Sequence, residues 1–162
     1  MNEKAKEKIE KIIYGNGVDS YNRFSVFLKH CKNFGDCEYW YGLSLAYQCS
    51  DNLFYYADLV RAAFESKRDC RDYLMNESEK LFLKNLPDEI TIYRAMTIKE
   101  SKSRRFGVSW TLSKDVAEFF RDKYMRNHAT ANEPKIIIEK VVSKEKVIVY
   151  LNGRKEQEII YL

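Results

Sequence analysis

The chain has 162 residues, of which 45% are hydrophobic and 14% aromatic, and its formal net charge is +4. This length suits one domain, or one domain with a small helical subdomain, and the apolar content excludes a disordered chain. The positive charges are interspersed with almost as many negative ones, so direct nucleic-acid binding is not expected.

The N-terminal stretch MNEKAKEKIEKII carries too many charges for a signal peptide. No run in the sequence reaches the roughly 18 apolar residues that a transmembrane helix needs. We therefore expect a cytoplasmic protein without a membrane partner.

Four cysteines lie at positions 31, 37, 49 and 70, and none forms a C-x-x-C pair. We expect reduced thiols packed in a core. A zinc site formed by His30, Cys31, Cys37 and Cys49 is the alternative, although CKNFGDC has the wrong spacing for a zinc knuckle. No bound metal is expected.

Residues 1–86 have helical periodicity. Ala5, Ile9, Ile12 and Ile13 follow an i, i+4, i+7, i+8 pattern, and similar apolar stripes continue until LPDE ends the helical sequence. Aromatic residues recur at helical spacing between positions 39 and 56. This spacing predicts core packing with tyrosine hydroxyls at the rim, rather than a binding surface.

Residues 88–162 instead have a strand pattern. The candidate strands are EITIYRA, FGVSWT, KIIIEKVV, KVIVYL and EQEIIYL. A helix is predicted over 113–126, with Ser113 as its N-cap. Helices followed by strands predict an α+β fold, with a helical region over 1–86 packing on a core over 88–162.

Polar side chains fall at the ends of three predicted strands. Arg94 ends the apolar strand ITIY, and Ser109 and Thr111 are two residues apart and share a face. Glu156 and Glu158 are also two apart, and the sequence places them on one face just before IIYL. Each feature alone is typical of ordinary sheet surface or of a charged turn.

In this order, the features resemble the ADP-ribosyltransferases of the Arg–Ser–Glu class. That family has an arginine on its first core strand, a Ser-Thr-Ser-like motif on a later strand and a Glu-x-Glu at the start of a late strand. Here YRA, SWT and EQE match them, and DVAEFF resembles the helix after the serine motif. The resemblance covers residues 88–162 and is nearest to small phage and bacterial members. These include ADP-ribosylating anti-CRISPR proteins, which modify a subunit of a host complex.

The resemblance implies a small mixed β core of two packed sheets, NAD as co-substrate without a metal, and a protein acceptor. It implies that Glu158 binds the ribose 2′-OH and faces the ribosyl oxocarbenium ion. Arg94 would bind the pyrophosphate or ribose, and Ser109 would bind the ribose and support Glu158. Glu156 would orient or deprotonate the acceptor, and a phage-encoded protein would act in the host cytoplasm.

Further NAD contacts are implied around these residues. Thr111 and Trp110 lie in the hydroxyl motif, and Phe119 lies on the helix that follows it. Phe120 and Tyr124 are further candidates for packing on nicotinamide, although core packing is the alternative for each aromatic side chain.

Three functions therefore compete. The first is a mono-ADP-ribosyltransferase that modifies a protein, such as a phage anti-defence effector. The second is an NAD glycohydrolase that uses the same residues with water as acceptor. The third is a non-catalytic interaction domain on the same scaffold.

Overall fold

The computed structural model describes residues 1–123 and 133–162, and these residues form an α+β protein. In chain order its elements are α1 (Glu3–Ile13), α2 (Arg23–His30), α3 (Asp36–Gln48), α4 (Ala57–Phe64), α5 (Glu77–Asn85), β1 (Glu89–Thr97), α6 (Ile98–Ser103), β2 (Ser109–Thr111), α7 (Lys114–Asp122), β3 (Lys135–Ser143), β4 (Val147–Leu151) and β5 (Glu158–Tyr161). None of the helices in this part of the chain has the length and apolar character needed to cross a bilayer.

The chain divides into two compact units, Met1–Asn76 and Glu77–Leu162. The change from helices to strands falls close to Pro87, as predicted, because α5 ends at Asn85 and β1 begins at Glu89. However, α5 belongs to the second unit. Its residue Phe82 stacks on Tyr150 of β4, with ring centroids 4.3 Å apart. The boundary between compact units therefore lies one helix earlier than the boundary in secondary structure.

The first unit is built from helices with apolar stripes. Ile9 and Ile13 of α1 are fully buried, as their spacing predicts. Tyr39 and Trp40 of α3 are also buried, and the Tyr39 hydroxyl donates to the Ala63 carbonyl at 3.0 Å. The prediction of core packing is confirmed for these two rings. It is wrong for Tyr55, which is 74% exposed.

The expectation of reduced cysteines is wrong for one pair. Cys37, at the start of α3, forms a disulfide with Cys70, 33 residues later in the chain. Cys31 is half-buried and Cys49 is exposed, and both are free thiols. Because its sulfur is in a disulfide, Cys37 cannot act as a thiolate ligand in the alternative zinc site. Disulfides are rare in the cytosol, so this bond does not support the predicted cytoplasmic location. That location stays a prediction.

The second unit contains one sheet, with strand order β3-β1-β2-β5-β4. All neighbouring strands are antiparallel. The expectation of two packed sheets is therefore wrong for the part of the chain described. The physical reason is a narrow junction: β1 pairs with β3 along all nine residues but meets β2 through the single pair Tyr93–Thr111. That pair joins two groups of strands into one sheet.

Among the described residues, two α-helices lie between the strands, where the sequence predicts one. The predicted helix is α7, and the Ser113 hydroxyl caps it by accepting from the Val116 N–H at 3.3 Å. The predicted end of this helix, beyond position 123, lies outside the described residues. The short helix α6 was not predicted, and Thr97 caps it by accepting from the Glu100 N–H at 3.1 Å.

Candidate functional site

The center of the candidate site is a hydrogen bond between two neighbouring strands. Ser109 of β2 donates from Oγ to Oε1 of Glu158 at 2.5 Å, and Glu158 is the first residue of β5. The residue opposite Glu158 in the ladder is Thr111, so all three side chains share one face of the sheet. Glu158 is only 4% exposed. Ser109 and Glu158 are therefore in direct contact, and the role of Ser109 in supporting Glu158 stays a prediction.

Arg94 joins this center through the backbone of Ser109. Its Nη1 donates to the Ser109 carbonyl at 2.7 Å, while Nε and Nη2 both donate to Oε1 of Glu100, at 3.0 and 2.9 Å. The Gly107 N–H also donates to this oxygen, at 2.8 Å. Arg94, Glu100 and Gly107 thus form a half-buried ionic cluster where β1 and β2 stop pairing.

The side chains of Arg94 and Glu158 begin on opposite faces of the sheet. Tyr93 pairs with Thr111, so strand alternation places Arg94 on the face of Trp110 rather than on that of Ser109. The guanidinium reaches Ser109 because β1 and β2 share only one residue pair, and it binds the carbonyl just beyond that pair. The structure therefore connects Arg94, Ser109 and Glu158 in one chain of hydrogen bonds.

The close packing of Arg94 requires a glycine at position 107. A Cβ added there would overlap Nη2 of the Arg94 guanidinium. We expect Gly107→Ala to displace the guanidinium from Glu100 and to reduce the free energy of unfolding by about 1–3 kcal/mol, the cost of a lost charge-assisted hydrogen bond. Chemical denaturation measures this loss.

A double-mutant cycle is the control for this prediction. In an Arg94→Ala background there is no guanidinium to displace, so Gly107→Ala should cost much less than in the wild type. Equal losses in both backgrounds would mean that the contact with Arg94 is not the cause.

A turn over residues 152–157, called the 152–157 turn below, brings the second glutamate to the site. Glu156 lies in this turn and not in β5, so the expectation of one strand face for both glutamates is wrong. The reason is backbone geometry: Lys155 and Gln157, on either side of Glu156, have left-handed φ values of 59° and 46°. Thr111 holds the turn against β2 by donating from Oγ1 to the Glu156 carbonyl at 2.7 Å.

Arg154 brings the two carboxylates together. Its Nη2 lies 3.2 Å from Oε2 of Glu156 and 3.3 Å from Oε2 of Glu158. Burial raises the pKa of Glu156 above its ordinary value; Arg154 partly offsets the effect and the charge of Glu158 adds to it. A pair of carboxylates with unequal surroundings suits two different chemical roles.

The aromatic residues predicted to contact NAD have different surroundings in the structure. Trp110 is 2% exposed, and its ring packs edge-on against Phe106 and Tyr161 on the face opposite Ser109. Phe119 is half exposed on α7 and packs against Phe120. Tyr124 lies outside the described residues. The structure thus brings together the charged and hydroxyl residues of the prediction, and it gives Trp110 a place in the core.

Sequence reasoning missed Arg154, Glu100 and Gly107. Arg154 is given no role in the sequence analysis, although its spacing of two and four residues from the glutamates is a usable signal. Glu100 lies in a helix that was not predicted. The role of Gly107 depends on the position of a side chain from another strand.

The arrangement can stabilise a cation and move a proton. A buried carboxylate can stabilise positive charge that develops on a bound substrate, and a second carboxylate nearby can accept a proton. No group of three or more His, Cys, Asp or Glu residues within 1–123 and 133–162 is placed to hold a metal ion.

Comparisons with protein-family models, with curated proteins and with solved structures give no significant match.

Proposed function

We propose that this chain is an NAD-dependent mono-ADP-ribosyltransferase that modifies a protein. The observation that carries the proposal is the 2.5 Å hydrogen bond from Ser109 to the buried carboxylate of Glu158. Arg94 binds the backbone of the same serine. A hydroxyl, a carboxylate and an arginine on three strands form the set that cleavage of a nicotinamide–ribose bond would use.

The chemistry of these groups fits NAD. A guanidinium has five N–H groups, and the contacts of Arg94 with Glu100 and Ser109 use three of them. The others would bind a pyrophosphate or ribose oxygen, for which the planar arginine side chain is well suited. Ser109 would also bind the ribose.

Glu158 and Glu156 have separate roles in this proposal. NAD supplies the ADP-ribosyl group, with nicotinamide as a neutral leaving group. Glu158 binds the ribose 2′-OH and stabilises the positive charge that develops on the ribose, as carboxylates do in glycoside hydrolysis. Glu156 orients the acceptor and takes its proton. An arginine acceptor would need this help most, because its guanidinium is hard to deprotonate.

The acceptor is a protein in this proposal. The resemblance to anti-CRISPR members suggests a subunit of a host complex, and hence a role for the chain as a phage effector in the host cytoplasm. NAD hydrolysis and non-catalytic binding remain the two alternatives, and one experiment separates all three.

The test uses purified protein and labelled NAD, with and without bacterial lysate. We expect nicotinamide release and a labelled protein band in the lysate, which mass spectrometry then identifies. Nicotinamide release without a labelled protein would favour the glycohydrolase. No release under either condition would leave the interaction domain.

Arg94 should contribute both to NAD binding and to the fold. The sequence alone suggests that Arg94→Ala mainly weakens NAD binding, by about 2–3 kcal/mol for a lost bidentate contact to a charged group. The ion pair with Glu100 adds a loss of stability, because Glu100 is half-buried and would lose its guanidinium partner. Calorimetry with NAD measures the first effect and thermal melting the second.

Glu100→Gln is the matched control for this prediction. It removes the charge that pairs with Arg94 but keeps the guanidinium at the site. We expect it to lower the melting temperature with little change in NAD affinity. An Arg94→Ala protein that binds NAD normally but melts earlier would make Arg94 purely structural.

A further inference from the structure

The 152–157 turn is held from three sides. The Asn152 N–H donates to Oε1 of Glu79 at 2.7 Å, and Glu79 is a buried carboxylate of α5. Asn152 closes the turn on itself, because its side-chain oxygen accepts from the Gln157 N–H at 3.1 Å. The Thr111 hydroxyl then fixes the backbone at Glu156, as described above. The turn therefore has a defined shape that directs the side chain of residue 154.

That side chain is directed at both carboxylates of the candidate site. A single nitrogen of Arg154, Nη2, lies within 3.3 Å of one oxygen of each glutamate. The other oxygen of Glu158, Oε1, accepts from Ser109. The Glu158 carboxylate is thus held at both oxygens, by a neutral donor on one side and a cation on the other.

We propose that Arg154 is the positioning residue of this site, which holds Glu156 and Glu158 in their working orientation. This inference rests on the proposed function, because that function gives the two carboxylates their roles. It assigns Arg154 no contact with substrate. Arg154 acts through the carboxylates that it binds.

The charge balance supports this role. Two carboxylates this close repel each other, and a cation that contacts both of them offsets that repulsion. The guanidinium also lowers the pKa of Glu156 and so favours the charged form, which is the form that can accept a proton. A cation also opposes positive charge developing on the ribose, but Arg154 is 44% exposed and its field is partly screened. Loss of the orientation of Glu158 is the larger effect, so Arg154 assists the reaction.

The experiment compares Arg154→Met with Lys155→Met. Methionine keeps an apolar stem and removes the charge, and Lys155→Met removes one positive charge from the neighbouring, exposed position of the same turn. In NAD hydrolysis at neutral pH, we expect Arg154→Met to lower kcat about 10- to 100-fold with little change in the KM for NAD. Lys155→Met should behave as wild type, and Arg154→Lys should restore part of kcat.

A second measurement does not depend on activity. Titration of the glutamate carboxyls by carbon NMR should show a higher pKa for Glu156 in Arg154→Met than in the wild type, because the guanidinium that favours its charged form is gone. A folded Arg154→Met protein with the kcat and the Glu156 titration of Lys155→Met would overturn the proposal. If the wild type released no nicotinamide, the proposed function would fall, while the titration would still decide whether Arg154 holds the pair.

Discussion

Replacing Glu158 with glutamine should lower NAD hydrolysis and protein modification together, each by about 100- to 1,000-fold. The reason is that positive charge develops on the ribose before the acceptor takes part, so its stabilisation matters for every acceptor. Glutamine keeps the shape of the side chain and an oxygen that can accept from Ser109, but it removes the charge. Nicotinamide release and incorporation of labelled ADP-ribose measure the two losses.

The control for Glu158→Gln is the same substitution at Glu145, an exposed residue between β3 and β4. Glu145→Gln should leave both reactions unchanged. Melting curves check that Glu158→Gln still folds, since its glutamine is buried and Arg154 loses a charged partner there. Normal NAD turnover by a folded Glu158→Gln protein would refute the assignment of Glu158, and with it the proposed function.

Local patterns in the sequence predict much of the second unit. The alternating residues of EITIYRA form β1, and Ser113 caps α7, because both depend on contacts between residues near each other in the chain. Ser109 and Glu158 could be placed at strand ends from the same patterns. The hydrogen bond between them follows once β2 and β5 are neighbours.

Other features depend on tertiary contacts, which a local sequence pattern does not reveal. Glu156 leaves the strand because Lys155 and Gln157 take left-handed conformations that usually favour glycine, and neither residue type signals this. The single sheet depends on one pair, Tyr93–Thr111. The bond between Cys37 and Cys70 depends on the packing of segments 33 residues apart. Each of these is decided by tertiary structure.

Glu156→Gln should separate the two reactions that Glu158→Gln lowers together. If the acceptor is arginine, modification of the target should fall about 100-fold or more, as expected when a general base is lost, while NAD hydrolysis stays largely intact. Burial raises the pKa of Glu156. Transfer by the wild type should therefore rise with pH above the range of an ordinary glutamate, and this rise should be absent in Glu156→Gln. Rates of transfer and of nicotinamide release, measured across pH, test both points.

The contacts of Glu156 explain why Glu156→Gln should lower protein modification without lowering NAD hydrolysis. Glu156 contributes its backbone carbonyl to Thr111 and its carboxylate to Arg154, and glutamine keeps the first contact while weakening the second. Arg154 still binds Glu158, so the carboxylate that stabilises the ribosyl cation keeps its cationic partner. An equal fall of hydrolysis and transfer in Glu156→Gln would mean that the two glutamates act as one unit. Unchanged transfer would instead mean that the acceptor is not arginine, and the transferase proposal would stand with a different acceptor residue.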